Sequence, residues 1–445
     1  MNEASAKSER KRVMIIASLY HATPRIPTLA KFLPEFGWEP IIITPKLIEG
    51  NIFNIPSKEA LSRLNIVETG EPRIYEQEKK SSKSYPIKKS IQNAVEKIDS
   101  SHRSRLRHHA DAIFWKLHNL FNYPDPEREW RQPVVEKAVA LYNEKKFDLI
   151  ISSSSPIITH LAALDVKEKF GTPWVAELRD LWSQNQNLPY GRMMRWVISR
   201  LERRTLQHAN TLVTISPNLA KDLQSLHSKK EVHCLTNGFD PAIMDIVAEH
   251  PSKFTITYTG QIYWPKMKPE ILFEAIKDMI SNGIVNRNSI EFRHYGPYDN
   301  HLERLSVQLG LEDVIKQYGV ISRDESLKAQ KSSHVLLVIH WEDRDQPGMI
   351  STKLLEYLST GNPILITGGF EGSIVCNIIQ QTNTGKVCHN KAQTIEYLSK
   401  LYQEYAACKN ISIDSNRDEI DKFNYRNIAR NYSILLDGIL SSSRK

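Results

Sequence analysis

The sequence predicts an α/β protein made of two doubly wound domains in succession, each a mostly parallel sheet with helices on both faces. Three observations predict it. The chain of 445 residues exceeds the length at which one hydrophobic core stops growing. Apolar runs such as Val13-Met14-Ile15-Ile16-Ala17 and Val335-Leu336-Leu337-Val338-Ile339 have the length and continuity of strands buried on both faces. Such runs alternate with helical segments in both halves, as crossovers between parallel strands require.

After the first strand, a helix is expected from Pro27, which suits a first helical turn, to about Phe36, with Gly37 closing it. Ile41 to Thr44 is the next strand. Residues 46–110 read as an irregular polar insertion, followed by helical stretches through Trp115 and from about Pro133 to Lys145. Alternation then resumes: strand Asp148 to Ser152, helix Pro156 to Lys169 ended by Gly171, strand Trp174 to Leu178, a basic amphipathic helix over 191–208, strand Thr211 to Ile215, helix Pro217 to Ser225. A boundary falls at 241–252. The second half repeats the grammar with strand Thr255 to Tyr258, helix 269–280, strand Glu291 to Tyr295, helix 301–309, strand Val335 to His340, helix 350–359 and strand Pro363 to Thr367. The predicted division is 1–245, 246–416 and a closing helical stretch, 417–445, long enough to cross back to the first domain. Two Rossmann-like domains so arranged leave a cleft facing the carboxyl ends of their strands, where ligands of such folds bind.

Hydrophobic residues at 40% and charged ones at 25% suit a globular chain and exclude wholesale disorder. No apolar run approaches the roughly 20 residues of a membrane-spanning helix, and the first one is too short for a signal peptide. Cys234, Cys376, Cys388 and Cys408 show no CxxC pairing and read as packing residues of a cytoplasmic protein. There is no H-x-E, HExxH or Asp-rich cluster, so neither a catalytic metal nor a tightly bound cofactor is expected. The short run Asp343-Arg344-Asp345 reads as solvated.

The net charge of +8 is concentrated. Lys79, Lys80, Lys83, Lys88, Lys89, Lys97, Arg103, Arg105 and Arg107 face only Glu96 and Asp99 over that stretch, and Ile113, Phe114, Trp115, Leu117, Leu120 and Phe121 follow. A basic segment beside an aromatic-rich one is suited to an anionic membrane surface, so residues 79–121 are expected to hold the protein peripherally on the inner face of the cytoplasmic membrane. No nucleic-acid-binding motif accompanies the charge.

Two loops carry candidate chemistry. In Tyr258-Thr259-Gly260-Gln261 a glycine leaves a predicted strand, with Lys266 and Lys268 beyond it. Glycine permits close approach of a phosphate, and lysine supplies a point charge. The second block runs Gly348-Met349-Ile350-Ser351-Thr352-Lys353-Leu354-Leu355-Glu356 and ends in Gly361-Asn362-Pro363. Ser351 and Thr352 can cap a helix, Lys353 and Glu356 share a face one turn apart, and the helix opening offers amides to a diphosphate. Glu356 is placed to accept hydrogen bonds from a ribose diol on a surface-facing turn. His21, in the loop after the first strand, is a further candidate.

This order of elements resembles the retaining GT-B glycosyltransferases of family 4. The resemblance covers residues 13 to about 390 and rests on Pro124-Asp125-Pro126 with Trp130, Asp148 to Pro156, Pro173 to Trp182, Asn237-Gly238-Phe239-Asp240, the Gly260 loop, Gly319-Val320-Ile321-Ser322 with Glu325, and the Gly348 to Pro363 block. It implies sugar transfer from a nucleoside-diphosphate sugar, with retention and without metal, to a lipid-linked or oligosaccharide acceptor of bacterial envelope or polysaccharide assembly. It places the donor on Gly260, Gln261, Gly296, Ile321 and the stretch Gly348, Met349, Ile350, Ser351, Thr352, Lys353 and Glu356. It places the catalytic and acceptor side on Lys266, Lys268, Arg179, Asp180 and His21. Three positions depart from the family. Gly348 stands where many members have the first acid of E-x7-E, Gln261 where many have arginine, and Arg179 where histidine is common. A nucleotide-sugar epimerase of the same fold and a non-catalytic scaffold are the alternatives.

Overall fold

The computed structural model describes residues 10–48, 58–71, 123–185, 191–340 and 350–443. They divide into two units, one from Met1–Leu235 with Ala429–Lys445 and the other from Thr236–Ile428. The basic and aromatic stretch 79–121, together with Gly348, Met349 and the Asp343 run, lies outside the described residues.

In the first unit the strands are β1 (Lys11–Ala17), β2 (Trp38–Thr44), β3 (Ile66–Glu68), β4 (Leu149–Ser154), β5 (Trp174–Leu178), β6 (Thr211–Thr214) and β7 (Val232–Cys234). They form one parallel sheet in the order β3-β2-β1-β4-β5-β6-β7. The second unit carries β8 (Phe254–Thr259), β9 (Ile290–Tyr295), β10 (Ile315–Gly319), β11 (Val335–His340), β12 (Ile364–Gly368) and β13 (Gly385–Cys388). Its parallel order is β10-β9-β8-β11-β12-β13. Strand order reverses between β1 and β4 in one sheet and between β8 and β11 in the other. At such reversals successive crossover helices leave to opposite faces and open a crevice at the carboxyl edge.

The apolar runs form strands because both of their faces are covered. Along β11, Val335, Leu337 and Ile339 join Ile256 and Phe292 on one face, while Leu336 and Val338 join Leu354, Tyr357 and Ile366 on the other. That is the two-residue alternation of a pleated strand. Each such side chain, when fully buried, contributes about 1.5–3 kcal/mol.

Three local expectations are corrected. The helix expected from Pro27 spans Arg25–Phe32 and continues as a 3-10 turn, Leu33–Phe36. Pro27 is its third residue, where the missing N–H has no intrahelical acceptor to lose. Part of 46–110 is regular, since helix Lys58–Ser62 precedes β3, which pairs with β2 from Ile42↔Ile66 to Thr44↔Glu68. A strand of three residues is too short to show a period. The closing stretch is two helices, Arg417–Asp421 and Tyr425–Ser443. Phe239 enters the break, donating its N–H to Phe423 O at 2.9 Å and accepting from Tyr425 N at 3.0 Å. A Cβ on Gly238 would meet Phe423 O at 2.3 Å, so the glycine of Asn237-Gly238-Phe239-Asp240 is there to let two backbones touch.

Beyond Ile428 the last helix belongs to the first unit. Tyr432 Oη donates to Glu177 Oε1 at 3.0 Å. Asp437 accepts from Trp38 Nε1 at 3.0 Å and pairs with Lys11. Among the described residues no helix is long and apolar enough to cross a membrane.

Candidate active site

In the second unit, β8 and β9 run into Gly260 and Gly296, and β10 ends at Gly319. Gly260 N donates to Tyr295 O at 2.7 Å and Gly296 N to Gly319 O at 2.9 Å, so the three strand ends are stitched together. Gly260 has φ +110°, a conformation open to glycine and strained for other residues. A Cβ on Gly296 would lie 2.4 Å from Gly260 O and 2.8 Å from His294 Nε2. The His294 ring N–H donates to that same Gly260 oxygen at 2.9 Å. Gly296 is thus required by close packing of the edge.

Lys353 reaches this edge from the helix that follows β11, Thr352–Leu358. Its Nζ lies 3.9 Å from the centroid of the buried Tyr258 ring, and a Cβ on Gly260 would be 3.2 Å from it. Among the described residues the ammonium has no carboxylate partner at ion-pair distance. Burial pulls its pKa down to about 8, against an opposing pull from Glu356 one turn on. A cation held over a ring face gains about 0.5–2 kcal/mol and keeps its charge available to an incoming anion.

Glu356 is not surface-facing. It is 6% exposed, with Oε1 2.7 Å from the Arg323 guanidinium and Oε2 accepting from Gln330 Nε2 at 3.3 Å. Residues one turn apart share a helix face only broadly. Here Lys353 turns to Tyr258, and Glu356 turns to the helix Arg323–Lys331, which itself opens with a capping box between Ser322 and Glu325. A carboxylate has about four acceptor sites, so capacity remains for a ribose. Ser351 caps its helix, accepting from Leu354 N at 3.3 Å. Thr352 is half-buried, and Ile350 packs against the core beneath. Ile321 is half-buried just before the capping box, whereas Gln261, Lys266 and Lys268 are exposed on the Gly260 loop. That loop is fixed by Tyr258 Oη donating to Gln261 O at 2.8 Å and Trp264 Nε1 donating to Asp299 at 2.7 Å.

In the first unit the carboxyl edge is built around a buried carboxylate that sequence reasoning passed over. Glu177, on β5, is wholly buried. It accepts from Arg25 Nε and Nη2 at 3.0 and 2.7 Å and from Ser153 Oγ at 2.6 Å. Burial pushes its pKa up, and the charge and hydrogen bonds of Arg25, with Ser153 and Arg179, more than reverse this, leaving it below the usual value. The available signal was a glutamate inside the otherwise apolar strand Trp174-Val175-Ala176-Glu177-Leu178. Arg179 acts as a clamp. Its guanidinium donates to Ser153 Oγ at 3.1 Å, to Ser155 O at 2.9 Å and to His21 O. His21 and Arg179 are therefore brought together, with His21 Nε2 3.1 Å from Glu127 Oε1. Asp180 is exposed beside them. Asp125 and Trp130 anchor loops: Asp125 accepts from Glu127 N and Ile157 N at 2.7 and 2.6 Å, and Trp130 Nε1 donates to Thr69 Oγ1 at 2.8 Å. Among the described residues no group of three or more His, Cys, Asp or Glu side chains is placed to hold a metal ion.

Residues 99–243 match the sequence model of Glycosyltransferase Family 4. Over these residues the chain is similar to that family. No curated protein matches the chain. Among solved structures, sucrose-phosphate synthase from Thermosynechococcus elongatus superposes with a TM-score of 0.57 at 14% identity, covering 97% of this chain and 100% of that one. HepE from Anabaena, in complex with UDP, gives 0.57 at 12% identity, with 96% and 100% covered. A Listeria monocytogenes protein assigned as a UDP-N-acetylglucosamine 2-epimerase gives 0.51 at 11% identity, with 95% of each chain covered. These likenesses show the fold of the chain, the two-domain GT-B architecture. They do not choose its chemistry, because one fold hosts several.

Proposed function

We propose that the chain transfers a sugar from a nucleoside-diphosphate sugar to an acceptor, with retention of anomeric configuration. The observation that carries this reading is the Lys353 ammonium, held at the glycine edge of the second sheet without a carboxylate partner among the described residues. Departure of a nucleoside diphosphate builds negative charge on the leaving oxygen. A fixed cation in a partly desolvated site stabilises that charge with little reorganisation. Lys266 and Lys268 on the Gly260 loop and the amides opening at Ser351 add to it. Gln261 supplies no charge of its own, so these lysines take over the task of the arginine common at that position. Glu356 accepts from the ribose diol. The UDP bound by HepE supports a nucleotide donor, and the family 4 match favours transfer over epimerisation, which the fold alone admits.

The acceptor falls to the first unit, where His21, Arg179 and Asp180 line the carboxyl edge. Its class, lipid-linked or oligosaccharide, rests on the resemblance. The test is a panel of nucleoside-diphosphate sugars offered with lipid-linked and oligosaccharide acceptors, reading released nucleoside diphosphate and the anomeric configuration of the product by NMR. Release dependent on acceptor, with a retained anomer, is expected. Interconversion of the donor sugar without transfer indicates an epimerase instead, and binding of no nucleotide indicates a scaffold.

A further inference from the structure

Helix Arg192–Leu206 has two unlike sides. Ile198, Glu202, Thr205 and Leu206 are buried. Glu202 is the only acidic residue of the helix and is consumed inside, accepting from Ser183 N at 2.9 Å and lying 3.2 Å from His227 Nε2. With 3.6 residues per turn, Arg192, Met193, Trp196, Arg200, Arg203 and Arg204 fall within an arc of about 120° on the opposite side. Met193 is 81% and Trp196 62% exposed, and the four arginines of the arc are exposed as well. None of those four is ion-paired among the described residues. The Arg200 guanidinium lies 5.7 Å from the Trp196 ring centroid.

We infer that this face docks on an anionic lipid surface. Arginines that no local carboxylate neutralises complement phosphate headgroups. Trp196 sits among them as an amphipathic ring suited to the headgroup level, and Met193 adds apolar area that gains by leaving water. A nucleic-acid surface would engage the arginines equally but would gain little from an exposed thioether in their midst, so the apolar pair decides between the two. The inference does not rest on the donor-site reading, and it concerns residues other than the basic stretch 79–121.

The test uses the full chain with vesicles of phosphatidylglycerol and phosphatidylcholine, and with phosphatidylcholine alone. The wild type should co-sediment with the anionic vesicles only, more weakly as salt rises, because screening shortens the reach of each charge. R200E/R203E should weaken binding at least tenfold, and W196S should weaken it even at low salt. All these side chains are exposed, so melting temperature and nucleoside-diphosphate affinity should match the wild type, confirming folded variants. Equal binding by R200E/R203E and wild type overturns the inference, as does an absence of wild-type binding at low salt. Retention on single-stranded RNA in place of vesicles also overturns it.

Discussion

Lys353 keeps its charge at neutral pH with a ring face, not a carboxylate, as its nearest partner among the described residues. Replacing it by methionine preserves the stem over Tyr258 and removes only the ammonium. Lys353→Met should therefore leave the melting temperature unchanged or raised, and should weaken nucleoside-diphosphate binding by about 1.5–3 kcal/mol, the range for a charged hydrogen bond. Among the described residues, the groups that act on Lys353 are Tyr258, whose hydroxyl burial pushes well above its usual range, and Glu356. With the amine at about 8 and phosphate already ionised above about pH 6, affinity should fall as pH rises through 8. Lys353→Arg should flatten that profile, and calorimetry across pH reads both. Glu356 differs in kind. Breaking its pair with Arg323 leaves a mostly buried guanidinium uncompensated, so Glu356→Ala should cost about 3–5 kcal/mol of stability, visible in denaturant unfolding before any ligand is added. The block containing both residues was legible in the sequence. Which way each side chain turns was not, because that depends on Tyr258 and Arg323, which lie far away in the chain.

At the scale of elements, strand ends and helix starts do the positioning. Gly296→Ala would drive a methyl into Gly260 O, so it should destabilise by about 1–3 kcal/mol as an overpacking change and lower nucleotide affinity with it. Denaturation and titration of the same variant check both effects. In the first unit, Arg25 ties its helix to β5 through Glu177. In the wild type the carboxyl is held below its unfolded value, so its contribution is present above that value and lost as pH falls through the folded one. Arg25→Met removes the first compensating charge and lets burial push the carboxyl up. The variant should lose about 3–5 kcal/mol near neutral pH and recover part of it towards pH 5, where the wild type gains nothing. Strands with continuous apolar runs, β1 and β11, were legible because burial on both faces writes itself into composition. The edge strands β3, β7, β10 and β13 were not, since Val232–Cys234 and Gly385–Cys388 are short and only partly covered.

For the whole molecule, the last helix closes the chain onto the first unit through Tyr432 and Asp437. Removing residues 429–445 should strip hydrogen-exchange protection from β1, β2 and β5 and leave β8 and β11 protected. The doubled α/β architecture was visible in the sequence, because alternation of strand and helix is a property of many residues at once. The clamp of Arg179 on His21 and Ser155 was not, because it depends on loops from three separate strands meeting. The central claim, that the second unit holds a nucleoside diphosphate at its glycine edge, is tested most directly by amide chemical-shift mapping during titration with UDP, GDP and ADP. At least one of them should bind and perturb Gly260, Gly296, Ser351 and Lys353 together, with little change in the interior of the first sheet. Binding of none, or shifts confined to the first unit, would contradict the account.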